Sequence, residues 1–181
     1  MRFFIATSFP PEVLRPLNER IEKVKPRLPH ASWVRPETQH LTFAFLGEQD
    51  EAFANRIRVE GGKKFEACLK GCGFFPNRNH ARVGWIGAEP RERFAELADL
   101  VRDAVETAGV KMDQNEFRPH LTVMRIRDRW PPRSLQLFEE TLGDFESAPF
   151  TVHEVTLYLS RLDPHGAVHT PLRTFTLALP A

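Results

Sequence analysis

Two stretches of this chain decide its fold: HLTFAFLG at residues 40–47 and HLTVMRIR at residues 120–127. The same tripeptide opens both, 80 positions apart, each time in an apolar run of the kind that forms a strand. On a strand, side chains i and i+2 share a face, so His40 projects with Thr42 and His120 with Thr122. Leu41, Phe43 and Phe45 then point the other way into a core, as do Leu121 and Val123. Each strand thus offers an imidazole beside a hydroxyl. We expect the two copies to face each other across a cleft and to act together on one phosphate.

The offset extends upstream of both motifs. RFFIATS alternates as a half-buried strand does, with Phe3, Ile5 and Thr7 on one face and Phe4 and Ala6 on the other. Pro10 and Pro11 suit the first turn of a helix, where a missing amide hydrogen is no loss. Leu14, Leu17, Ile21 and Val24 form that helix's apolar stripe. Eighty positions on, ARVGWIGA (81–88) takes the place of the first strand and Pro90 that of Pro10, while Phe94, Leu97, Val101 and Ala104 repeat the stripe. Gly109 closes the second helix. No gap is needed in this register, so strand–helix–strand occurs twice, in repeat units of about residues 1–47 and 81–127.

The expected fold is α+β: a single bilobal domain over 1–181 with pseudo-two-fold symmetry. Antiparallel or mixed sheets line a central cleft and the helices lie outside. Residues 50–64 read as a helix with Gly61 and Gly62 near its end, 64–75 as a strand, and 133–142 as a short helix. FTVHEVTLYLSRL (150–162) and VHTPLRTFTLAL (168–179) read as strands joined by the turn DPHG.

With 41% hydrophobic residues and 15 Phe, 181 residues suffice for one core. Lys and Arg number 25 against 24 Asp and Glu, a formal net charge of +1. That excludes the broad basic field of a non-specific nucleic-acid binder and makes any attraction for phosphate local. Such a patch follows the second motif: Arg118, Arg125, Arg127, Arg129 and Arg133 face only Asp128. By strict alternation Arg125 lies opposite His120 and reaches its face only through a bulge or twist. Cys68 and Cys72 would sit roughly 13 Å apart along an extended segment, too far for a disulfide. They read as reduced packing thiols of a cytoplasmic protein. The run MRFFIATSFPPEV is too short for a membrane span and too weak for a secretory signal.

Two imidazoles suit one chemistry. Opening a cyclic phosphodiester needs a base to take a proton from water and an acid to protonate the departing sugar oxygen. Histidine, with an ordinary pKa near ~6.5, serves in either role. The hydroxyls of Thr42 and Thr122 can donate to the non-bridging phosphoryl oxygens. No metal and no cofactor is called for. His165 and His169 have a ligand-like spacing, but Pro164 and Gly166 place them in a turn, and His30, His80 and His153 form no pattern. Trp33 and Trp85 read as core or cleft-edge residues, with stacking on a base as a second reading. A lone His-x-Thr is usually packing. Packing does not explain the same polar pair twice at matching positions.

MRFFIA, WVRPETQHLTFAFLGE, FRPHLTVMR and LSRLDPHGAVHTPLRTFTL, in this order, resemble the bacterial and archaeal RNA 2′,3′-cyclic phosphodiesterases. These are also called 2′-5′ RNA ligases and belong to the two-histidine phosphoesterase superfamily. The resemblance runs along nearly the whole chain. It implies metal-independent hydrolysis of RNA 2′,3′-cyclic phosphate to a 2′-phosphate. It also implies His40 as the group that protonates the leaving 3′ oxygen, His120 as the group that activates water, and Thr42 and Thr122 as phosphate ligands. Arg118, Arg125 and Arg127 are candidates for RNA contacts. The expected partner is RNA with such an end, tRNA-derived fragments included, handled by a monomer with no membrane. Two positions depart from the family pattern: Met124 replaces a small residue, and His169 stands where an aromatic residue is usual. The same site could instead join RNA ends through a 2′-5′ linkage, open a small cyclic nucleotide, or bind an RNA end without catalysis. A purely structural protein gives no reason for paired polar faces.

Overall fold

Leu41 and Leu121, the middle residues of the two motifs, pair with each other at the centre of one antiparallel sheet. The computed structural model describes residues 1–180. Its elements run β1 (Arg2–Ser8), α1 (Pro11–Val24), β2 (Ser32–Trp33), β3 (His40–Glu48), α2 (Glu51–Arg56), β4 (Phe65–Phe75), β5 (Val83–Glu89), α3 (Arg91–Thr107), β6 (His120–Arg125), α4 (Pro132–Leu142), β7 (Phe150–Val152), β8 (Glu154–Asp163) and β9 (Gly166–Thr176). The sheet order is β7-β4-β5-β6-β3-β1-β8-β9, with β2 added to β6. Four strands stand on each side of the Leu41–Leu121 pair, and a pseudo-two-fold axis passes through it. The α+β class and its antiparallel sheet are as expected, but the strands form one continuous sheet.

The helices cover one face of it. Leu17 and Ile21 of α1, Phe94 and Val101 of α3, and Phe138 of α4 share a buried cluster with Leu41, Leu121 and Val123. Burying both motif leucines completely fixes which way the strands face, because a slip of one residue would turn histidines into the core. No helix among the described residues is long and apolar enough to cross a membrane.

Several expectations need correction. The helix expected over 50–64 ends at Arg56. Beyond it Gly61 has a positive φ of 80°, and a Cβ on Gly62 would lie 2.6 Å from the Leu177 side chain, so this segment packs as irregular chain. The strand expected over 150–162 breaks at His153. Its first piece, β7, pairs with β4, while β8 pairs with β1 on the other side of the sheet. The repeat does contain a gap. Ala6 and Ser8 pair with Thr42 and His40, whereas Trp85 and Gly87 pair with Thr122 and His120. The first strands therefore correspond with an offset of 79 and the motifs with 80. The extra residue lies at the end of β5, where Ala88 and Glu89 occupy the place of Phe9.

Candidate active site

Each motif strand carries the same irregularity. Ile5 and Ala6 of β1 face Ala44 and Thr42, so Phe43 is an extra residue on β3. Gly84 and Trp85 of β5 face Met124 and Thr122, so Val123 is an extra residue on β6. Such a bulge puts two consecutive side chains on one face. Phe43 and Ala44 are both buried, as are Val123 and Met124. The strand then resumes with inverted parity. Arg125 thereby reaches the face of His120 and Thr122, the bulge that its sequence position required. Phe45 reaches the face of His40 and stands 71% exposed, contrary to the core position expected for it.

The cleft opens because β3 and β6 part company. Past the leucine pair, β6 takes Ser32 and Trp33 of β2 as partners. The resulting cavity of about 1040 Å³ is lined by His40, Thr42, His120, Thr122 and Arg125, with Arg2, Arg35 and Phe45 at its sides. All four motif residues thus meet in one cavity. The arginine patch does not converge. Arg118 faces a second cavity, Arg129 a third and Arg133 another. Arg127 is exposed, and its carbonyl accepts a hydrogen bond from Arg82. Arg2, Arg35, Phe4 and Phe45 escaped the sequence reading. Arg2 and Phe4 sit far from the motifs in the chain, Arg35 lies in the loop just before His40, and Phe45 stands behind a bulge that, had it been foreseen, would have pointed to it.

The two histidines are held alike. Nδ1 of His40 lies 2.6 Å from the carbonyl oxygen of Thr38, and Nδ1 of His120 lies 2.6 Å from that of Arg118. A carbonyl can only accept, so Nδ1 carries the hydrogen in both rings and the unprotonated Nε2 is left for the cleft. Their surroundings differ. His40 stacks on Phe4 at 4.9 Å and meets the edge of His169 at 5.1 Å, with Tyr158 stacked behind Phe4. His120 meets Phe75 edge-on at 4.8 Å, and Trp85 lies 6.4 Å away.

Burial pushes the His40 pKa down to about 4; the Thr38 carbonyl opposes this, and His169 and Arg125 add to it. Burial also lowers His120, opposed by the Arg118 carbonyl and reinforced by Arg125. Arg125 is thus the one charge felt by both imidazoles. In the free protein near pH 7 both rings are neutral, and the cleft holds two bases beside a fixed cation. An arriving anion reverses part of this balance, since a negative charge favours the imidazolium form.

The bulged, two-fold sheet presents paired imidazoles and hydroxyls to one cavity. The sequence profile of the 2′-5′ RNA ligase superfamily matches residues 9–164, and the chain belongs to that superfamily. It is 34% identical to the RNA 2′,3′-cyclic phosphodiesterase of Thermotoga maritima over 95% of this chain and 93% of that one. It is 30% identical to the protein of the same name from Methanothermobacter thermautotrophicus, over 89% of this chain and 92% of the other. A crystal structure from Thermus thermophilus superposes with a TM-score of 0.80 at 31% identity, each chain covered completely.

Proposed function

We propose that this protein hydrolyses the 2′,3′-cyclic phosphate end of RNA to a 2′-phosphate. The observation that carries the reading is the identical anchoring of His40 and His120, which turns two unprotonated Nε2 atoms toward one cavity that also holds Thr42 and Thr122. The named activity of the curated relatives supports it. The cyclic diester carries one negative charge. Beside Arg125 and the threonine hydroxyls, that charge raises the proton affinity of the neighbouring imidazoles, so that one ring takes up a proton and the other stays free. The free ring accepts a proton from the attacking water. The protonated ring gives its proton to the 3′ oxygen as the P–O3′ bond breaks. Family resemblance gives the first task to His120 and the second to His40. Arg125 and the two hydroxyls stabilise the charge gathering on the non-bridging oxygens.

tRNA-derived fragments with cyclic ends fall within this substrate class. All groups come from one chain, so a monomer suffices. Incubation with a short RNA ending in 2′,3′-cyclic phosphate, in excess EDTA, tests the reading, with phosphorus NMR on the product. A 2′-phosphate is expected. A 3′-phosphate would reverse which oxygen leaves, and binding without turnover would reduce the protein to an RNA-end binder. The same cleft also suits 2′-5′ joining, in which a 5′-hydroxyl replaces water.

A further inference from the structure

A second cavity of about 640 Å³ lies on the far side of His120, and His120 and Phe75 line both this cavity and the central cleft. The related cavity of the first half, also about 640 Å³ and lined by Ser8, Phe9, Pro11, Arg15, Pro36 and Gln39, does not reach His40; Phe4 and His169 stand against that ring instead. The walls of the second cavity include the aromatic side chains of Phe75, Trp85 and Phe117. The indole of Trp85 lies so close over Gly73 that a Cβ there would come within 2.3 Å of its ring. Its Nε1 is buried without a hydrogen-bond acceptor, the one such side-chain atom among the described residues. A donor left unpaired in this way is costly.

The charges of the two spaces differ in kind. The central cleft has Arg2, Arg35 and Arg125 against Glu48. The second cavity has Lys70, Arg91 and Arg118 against Glu89, Glu92 and Glu116. One space favours an anion. The other is balanced, rich in hydrogen-bonding groups and walled by aromatic rings, which suits an uncharged nucleoside.

We propose that the cavity behind His120 is the subsite for the nucleoside of an RNA 5′-hydroxyl end, which takes the place of water and attacks the cyclic phosphate held in the central cleft. The inference rests on the hydrolytic reading above and extends that site to its second substrate. A 5′-hydroxyl end carries no terminal phosphate, so its nucleoside is neutral, as the cavity is. In the joining step the 5′ oxygen gives its proton to Nε2 of His120 and forms the new P–O5′ bond. The P–O3′ bond breaks and O3′ receives a proton from His40. The product is a 2′-5′ diester with a free 3′-hydroxyl, and opening the strained ring needs no further reactant. The nucleophile enters from the His120 side, and beyond His120 lies a space fitted to the group attached to it.

The test compares two ligands of equal charge by calorimetry: 2′-5′-linked ApA, and adenosine 2′-methylphosphate, in which a methyl group replaces the second adenosine. The intact protein should bind ApA at least about tenfold more tightly, as stacking of one base on aromatic side chains allows. Ala95→Tyr places a ring in the second cavity from α3, at a position outside both motifs. It should abolish that preference and lower 2′-5′ joining to a 5′-hydroxyl RNA, while hydrolysis stays within about twofold of the parent. Equal affinity for the two ligands in the intact protein would overturn the proposal, as would a preference that survives Ala95→Tyr. Hydrolysis is measured in parallel. Its absence beside a retained ApA preference would sink the catalytic reading and leave the subsite standing.

Discussion

In the first half of the cleft His40 lies against Phe4 and His169, and the side chain delivered past the bulge is Phe45. In the second half His120 lies against Phe75 with Trp85 beyond, and the corresponding side chain is Arg125. The backbone is the same in both: an HxT strand, a carbonyl two residues back on Nδ1, a bulge one residue after the threonine. What differs is the residue at the bulge exit and the packing behind each ring. The duplicated frame places two imidazoles that are anchored alike. The exits then make the site polar in one direction, with a cation on one side and an exposed apolar ring on the other.

The largest effects should come from breaking what the halves share. His40→Ala and His120→Ala are each expected to lower hydrolysis by roughly 10²–10⁴-fold, the usual contribution of a positioned acid or base. Melting temperature and circular dichroism should stay close to the parent, because both rings face the cleft and not the leucine-centred core. Near-parental turnover in either variant would defeat the paired-histidine mechanism.

Changing the bulge exits tests what the halves do not share. Arg125→Ala should cost roughly 10²–10³-fold in kcat, as loss of a fixed donor to a developing oxyanion does. Phe45→Ala removes a flat apolar face from the other side. It should raise KM by about tenfold, the scale of one base stacked on an aromatic ring, and leave kcat nearly unchanged. Steady-state kinetics on the same cyclic-phosphate RNA separates the two. If both variants changed only KM, the contrast between cation and apolar platform would fall.

A symmetric, smaller effect is expected at the threonines. Thr42→Ala and Thr122→Ala each delete one donor to a charged phosphate, a contact worth about 1.5–3 kcal/mol. Each should therefore lower kcat/KM by roughly ten- to a hundredfold, and the two losses should be alike. A loss confined to one threonine would mean that the phosphate sits in one half of the cleft and not on the axis.

The shared frame was the part most legible in the sequence. The period-two pattern around His40 and His120, the helix stripes of Leu14 to Val24 and Phe94 to Ala104, and the recurrence of the motif all report local periodicity, which a single chain displays directly. The bulges were less legible, since Phe43-Ala44 and Val123-Met124 look like any apolar pair. Only the conflict between Arg125 and strict alternation hinted at one. The break at His153 was hidden because both flanking segments are strand-like, and the switch from β4 to β1 is decided by tertiary pairing. The contributions of Arg2, Arg35 and Phe4 to the cleft were hidden for the same reason.

The smallest effect concerns His169, which sits where the family resemblance leads one to expect an aromatic residue. Its ring meets His40 edge-on, and its influence helps hold the His40 pKa down. The groups around His40 are Phe4 from β1, His169 from β9 and the Arg125 charge from β6. Burial is the largest cause, so removing His169 relieves a minor part of the depression. His169→Gln should raise the His40 pKa from about 4 by a fraction of a unit, leaving it below the ordinary 6.5. The acidic limb of the kcat/KM profile, where it reports His40, should move up with it. Stability follows the same group. Between pH 6.5 and about 4 the unfolded chain takes up a proton at His40 and the folded chain does not, so stability falls as the pH drops through that window. His169→Gln narrows the window from below. Titration of the His40 ring by proton NMR checks the sign directly: a pKa that stays put or falls in the variant would show that the two imidazoles do not influence each other.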